Sequence, residues 1–340
     1  MMTPRADNRV MKRREFLAGA AAVAAGFIRP ATARAAQQAR QAALDRISIM
    51  SLNFQSILKV PDTNSSPDRT LELFDYAQMI ADTYGVHKVE FQHYHLASLE
   101  DAYLKELRGH IEKSKSRAMQ INLEFAELTM SAPRLRDRLL AIDLTKRFVD
   151  HAVTLGAMRV MVNQGAQGGA NPVAPSELNK VYSIPTLKTM VDYGRSKGII
   201  VSIETRGNGG GGGGRRAGAP GTADAAPAPP APPSQPGVPA PGPPTWALLA
   251  EILKGAGARS NVDIGGAAAA NQEELYACLK MMMPLTAGTM HTRLGTTWDL
   301  ATTIKYLEKE LGWKGLFTIE ASNGHQGTKA IYDVVVATLG

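Results

Sequence analysis

Ile199-Ile200-Val201-Ser202-Ile203-Glu204 is followed, from Gly207 to Pro244, by a run holding 11 glycines and 11 prolines. How that junction is read decides the fold. The hexapeptide is short, β-branched and apolar, like a strand buried on both faces. The run after it has hardly an apolar side chain beyond alanine. It cannot bury enough surface to offset the entropy of ordering it, so disorder is expected, with Gly209 to Gly214 flexible and the proline-rich half extended. Such a segment is either a linker between two domains or a loop inserted in one.

Working outward favours the loop. Four more strand candidates precede the junction: Ile47–Leu52, Lys88–His93, Gln120–Phe125 and Arg159–Asn163. Three follow it: Asn261–Ile264, Ala287–His291 and Leu316–Glu320. Helical patterns lie between them. Leu73, Phe74, Ala77, Ile80 and Ala81 form one stripe, and Leu135, Leu139, Ile142 and Val149 another. A third runs from Trp246 to Leu253. Strands alternating with helices imply parallel βαβ units. Eight of them imply a closed (β/α)8 TIM barrel, and no G-x-G-x-x-G follows the first strand to suggest a dinucleotide fold. Cutting at residue 207 would leave five strands on one side and three on the other. The glycine/proline segment, 207–244, is therefore expected as an insertion after strand five of one barrel spanning 45–340. Without residues 1–35 and the insertion, the length is close to the ~250 residues typical of this fold.

The chain has 340 residues, with 38 Lys+Arg against 31 Asp+Glu and a formal charge of +7. That excess would invite a nucleic-acid or membrane-surface reading if it sat on the folded domain. It does not. Arg5, Arg9, Lys12, Arg13, Arg14, Arg29 and Arg34 lie in the first 35 residues, opposed only by Asp7 and Glu15. An Ala/Gly-rich apolar run from Phe16 to Ile28 follows the basic cluster, then Ala33-Arg34-Ala35. These are the three parts of a secretory signal. The run is too short for a membrane span, which needs ~20 apolar residues, so no stable membrane anchor is expected. Arg13-Arg14-x-Phe16-Leu17 resembles the twin-arginine export motif, which implies the twin-arginine machinery as a partner and a periplasmic or otherwise exported protein. Without this segment the charge is near neutral, and no nucleic-acid partner is expected. Cys278 is the one cysteine, which excludes an internal disulfide or a cysteine-based metal cluster.

The last four strands each carry a metal-capable side chain at or near the C-terminal end: Glu204, Asp263, His291 and Glu320. In a barrel these ends ring one mouth, where active sites sit. Three carboxylates and an imidazole form a hard, oxygen-rich donor set. It favours one divalent ion, Mn²⁺ first, with Mg²⁺ or Co²⁺ acceptable and Zn²⁺ less suited.

The order Glu, Asp, His, Glu on strands five to eight resembles the xylose isomerase-like barrels, the sugar phosphate isomerase/epimerase family. The resemblance implies Glu204, Asp263, His291 and Glu320 as ligands of one divalent metal. It also implies Glu204 and Glu320 as an acid/base pair on opposite faces of a sugar or keto-sugar. The chemistry fits, because removing a proton next to a carbonyl needs a base in reach and a cation for the enediolate oxygens. Proton removal on one face and return on the other epimerises; one glutamate suffices for isomerisation or elimination. Many relatives have a histidine three residues after the strand-six aspartate, whereas this chain has Gly266. Arg293, with Asp299 second to it, is the candidate polar partner after the strand-seven histidine. His93, His95, Glu90 and Asn163 are further substrate-binding candidates, the two histidines sharing a face by strand alternation. Gln164 and His325 are weaker ones, and Cys278 reads as packing.

Four functions compete. The first is a metal-dependent isomerase or epimerase of a free sugar or keto-sugar. The second is a lyase or hydratase eliminating from 3-keto-glycosides. The third is an abasic-site type endonuclease, which needs a multi-metal cluster with more ligands. The fourth is a non-catalytic sugar-binding protein, which has no need of two glutamates beside a metal.

Overall fold

The computed structural model describes residues 34–60, 67–125, 127–162, 177–205, 245–267 and 269–340. Residues 1–33, which carry most of the expected export signal, Asn163, Gln164 and the 207–244 segment lie outside the described residues. Eight strands run in order: β1 (Ile47–Met50), β2 (Lys88–Gln92), β3 (Arg117–Leu123), β4 (Arg159–Val162), β5 (Ile200–Glu204), β6 (Arg259–Asp263), β7 (Thr286–Thr292) and β8 (Leu316–Ile319). Each pairs in parallel with the next, and β8 closes on β1. Helices follow them: α1 (Leu73–Tyr84), α2 (Asp101–Lys113), α3 (Leu135–Leu155), α4 (Glu177–Ser196), α5 (Thr245–Ala256), α6 (Gln272–Met282), α7 (Leu300–Lys309) and α8 (Gly324–Leu339). This is the expected (β/α)8 barrel. β5 and α5 flank residues 206–244, so that stretch connects a strand to its own helix within one closed sheet. Among the described residues no helix is long and apolar enough to cross a membrane.

The strands are buried on both faces, but not by the same chemistry. Ile47, Ile49, Val89, Phe91, Ile121, Leu123, Val201, Ile203, Phe317 and Ile319 join one apolar cluster with the helices. The alternating residues turn inward, and most are polar: Ser48, Glu90, Gln92, Gln120, Asn122, Ser202, Asn261, Thr289 and Thr318, all fully buried. The barrel interior is thus a polar column in an apolar sleeve. That corrects the expectation of strands apolar on both sides. Buried polar groups cost free energy unless hydrogen-bonded, so such an interior needs paired partners or a ligand.

The α3 stripe also needs correction. Leu135 and Leu139 are 59% and 51% exposed, while the core-facing residues are Ala141, Thr145, Phe148, Val149, Ala152 and Leu155. These follow the 3–4 residue helical repeat over the part of the helix that covers the sheet. The two leucines are in the first turns and off that face. Gly156 ends α3 at φ 80°, a left-handed conformation that glycine adopts without strain.

Candidate functional site

β5, β7 and β8 bring Glu204, His291 and Glu320 together. One ligand atom from each lies within 4.8 Å of the other two, and all three residues are buried. His291 Nδ1 is 2.9 Å from Glu204 Oε1 and 3.1 Å from Glu320 Oε2. Asp263, the fourth expected ligand, stands beside this trio rather than in it. Its Oδ1 accepts from the Gly265 backbone N–H at 2.9 Å, and its Oδ2 from Arg293 at 3.2 Å. The same Arg293 guanidinium donates to Glu320 Oε1 and ties the two carboxylates together.

The electrostatics follow from this crowding. Burial pulls His291 toward the neutral form, but the carboxylates of Glu204, Glu320 and Glu90 facing its ring nitrogens outweigh it and hold the imidazole well above the usual histidine range. Burial raises the Asp263 carboxyl, and Arg293 only partly opposes that. Burial would raise Glu320 too, but Arg293 and His291 together bring it below the usual glutamate value. Arg293 is raised, because Asp263, Glu320 and Glu204 outweigh its burial.

The residues fit a divalent cation. Three buried carboxylates face one imidazole and one guanidinium, so acceptors outnumber donors. Glu320 Oε2 is buried with no aligned hydrogen bond, although His291 Nδ1 lies close to it. Oxygen-rich sites of this kind suit hard divalent ions. Among the described residues this trio is the candidate metal group found, with no further cluster of the kind a multi-metal nuclease requires.

The glycine at position 266 has a steric reason. A Cβ there would sit 2.6 Å from Asp263 Oδ2 and 2.5 Å from the Thr205 carbonyl oxygen. Any side chain would displace the aspartate or the end of β5.

The other candidates are placed as follows. β2 stops at Gln92, and His93–His95 form a 3-10 turn, so strand alternation does not put the two histidines on one face. His93 Nδ1 accepts from the Glu124 backbone N–H at 3.1 Å, and the ring packs 3.8 Å from Phe125 between centroids. Burial lowers His93 to about 4. Ser51 Oγ accepts from the Gln92 N–H and also lies 2.8 Å from His95 Nδ1. His95 Nε2 is buried without a hydrogen-bond partner. Glu90 is not at the strand end but one layer deeper than the ligands. It contacts Thr289 and Thr318, each two residues before His291 and Glu320. Asp299 caps the N-terminus of α7, accepting from the Thr302 N–H at 2.7 Å, which is a structural duty. His325 pairs with the Tyr84 hydroxyl at 3.0 Å and packs edge-on to Phe54. Cys278 is buried in α6, and burial pushes its thiol up to about 12, as befits packing.

Sequence reasoning missed Asn53. Its Nδ2 donates to the Ile319 carbonyl and its Oδ1 accepts from the Ala321 N–H, so it grips the backbone on both sides of Glu320. It also missed Gln92 and Asn122, whose amides carry buried polar atoms without partners. The alternation Glu90/Gln92 and Gln120/Asn122 on β2 and β3 was the available signal.

No known family's sequence profile matches the chain, and no curated protein matches it by sequence. Solved structures do match in three dimensions. D-psicose 3-epimerase from Clostridium cellulolyticum H10, determined with D-tagatose, superposes with a TM-score of 0.59 at 10% identity, covering 86% of this chain and 96% of that one. What these structures share with this chain is the closed (β/α)8 barrel. 3-Keto-D-glucoside 4-epimerase from E. coli gives 0.56 at 10% identity, over 86% and 98%. A xylose isomerase-like TIM barrel protein from Mycobacterium smegmatis, in complex with magnesium, gives 0.56 at 14%, over 88% and 99%.

Proposed function

We propose that this protein is a divalent-metal-dependent isomerase or epimerase of a free sugar or keto-sugar. The observation that carries this reading is the buried trio, with two glutamates from β5 and β8 converging on one nitrogen of His291. Sugar epimerases among proteins of the same fold support it. Glu204, Asp263, His291 and Glu320 would hold one ion, Mn²⁺ in our reading. When bound, it would polarise the substrate carbonyl and neutralise part of the buried negative charge. Glu204 and Glu320 take the two proton-transfer roles. A carboxylate removes the proton beside the carbonyl, and the other returns it. Arg293 holds Glu320 and Asp263 in place and presents a cation to substrate oxygens. His95 offers its Nε2–H as a neutral donor for a hydroxyl.

A second reading, elimination from a 3-keto-glycoside, uses the same first proton removal. The 3-keto-glucoside epimerase among the similar structures favours keeping it. A screen of free sugars and 3-keto-glycosides with Mn²⁺ in D₂O tests both. Deuterium in recovered sugar is the expected result, release of the aglycone identifies the lyase, and the absence of both refutes both readings. The basic start and Ala33-Arg34-Ala35 support twin-arginine export, and a phosphorylated substrate does not suit an exported enzyme.

A further inference from the structure

His291 is held at both ring nitrogens, and the carboxylate on its far side belongs to no proposed ligand set. Nδ1 faces Glu204 and Glu320, while Nε2 lies 3.4 Å from Glu90 Oε2. Glu90 and His291 are both fully buried. Glu90 is on β2 and His291 on β7, so the contact spans the barrel interior rather than a neighbouring strand. The β2–β3 register shifts between Val89 and Glu90, an irregularity of the kind that re-aims a side chain.

Glu90 is itself clamped. Thr318 Oγ1 donates to its Oε1 at 2.6 Å, and Thr289 Oγ1 lies 3.4 Å from the same oxygen. Gln120 Nε2 donates to Oε2 at 3.2 Å. The carboxylate cannot swing away from the imidazole without breaking these contacts. An ionised carboxylate only accepts hydrogen bonds, and carboxylates face both ring nitrogens, so either nitrogen can donate as the site stands. A ring that offers Nδ1 to a cation carries its hydrogen on Nε2, where Glu90 waits as acceptor. Histidine ligands of metals commonly lean on such a partner, which fixes the ring and strengthens the donor atom.

We propose that Glu90 is a positioning residue that holds His291 with Nε2–H toward β2 and Nδ1 toward a cation shared with Glu204 and Glu320. This rests on the metal-dependent reading above. It replaces the substrate-contact role expected of Glu90.

Calorimetric titration with Mn²⁺ tests it, using wild type, Glu90→Gln and Glu90→Met. Glu90→Gln keeps an acceptor of the same shape, whereas Glu90→Met keeps bulk and removes the acceptor. Glu90→Met is expected to bind Mn²⁺ about 10–100-fold more weakly, and Glu90→Gln to recover much of that loss. In Mg²⁺-loaded wild type, ¹⁵N NMR should show the His291 hydrogen on Nε2. Wild-type Mn²⁺ affinity in folded Glu90→Met, or hydrogen on Nδ1, overturns the proposal and leaves the metal reading standing. If Glu90→Met does not fold, the near-isosteric Glu90→Gln and the NMR assignment decide. Absence of Mn²⁺ binding by the wild type overturns the metal reading, and this proposal with it.

Discussion

At the scale of single residues, the sharpest claim concerns the two glutamates. Glu204 and Glu320 meet the same imidazole nitrogen, and in the proposed reaction they share the two proton transfers. Glu204→Gln and Glu320→Gln should each lower turnover by about 10²–10⁴-fold, with substrate binding retained in at least one. Full activity in either variant would refute the acid/base assignment. His93 and His95 allow a second test. Burial lowers them to about 4 and about 3, against about 6.5 in an unfolded chain. Between those values the unfolded chain binds more protons, so their contribution to stability is present above about pH 6.5 and is lost as pH falls toward 4 and 3. His95→Gln should therefore lose less stability than wild type between pH 7 and pH 4. Parallel urea midpoints across that range would show that His95 is not buried in its neutral form.

At the scale of elements, the helices that follow the ligand strands are anchored by local chemistry. Asn271 caps α6, its Oδ1 accepting from the Glu274 N–H at 3.0 Å while Glu274 Oε2 accepts from the Ala270 N–H at 2.8 Å. The pair satisfies one backbone donor that the helix leaves open and the N–H of the residue before its cap. Asn271→Ala should cost about 1 kcal/mol of stability, read from the urea midpoint, with Mn²⁺ affinity unchanged because α6 supplies no ligand. The strands were legible in the sequence as eight short runs alternating with helical patterns, although β3 starts at Arg117, three residues before the expected Gln120. The buried face of α3 was not legible. Periodicity marks which leucines share a stripe, but only the contact with the sheet decides which stripe is covered.

At the scale of the whole molecule, the closed sheet joins what the glycine/proline segment divides in sequence. β5 and β6 pair through Ser202–Arg259, Ile203–Ser260 and Glu204–Asn261, so both sides of residues 206–244 belong to one barrel. Deleting residues 208–243 leaves a connection of the few residues usual between a strand and its helix. The shortened protein should keep its circular dichroism spectrum and bind about one divalent ion per chain. An unfolded product would refute the insertion reading.

The sequence alone determined the barrel, the order of its strands and the four metal-capable side chains. These depend on local pattern, on the eightfold alternation, and on a fold that collects strand C-termini at one mouth. Tertiary structure decided which of those groups meet. It set Asp263 beside the trio in the grip of Arg293, gave Asp299 to a helix cap, and left no room for a side chain at Gly266. It also turned Glu90 from a mouth residue into the far partner of His291. The reason is physical. Strand alternation fixes which way a side chain points, but contacts across the barrel depend on stagger, bulges and depth, which no short stretch of sequence records.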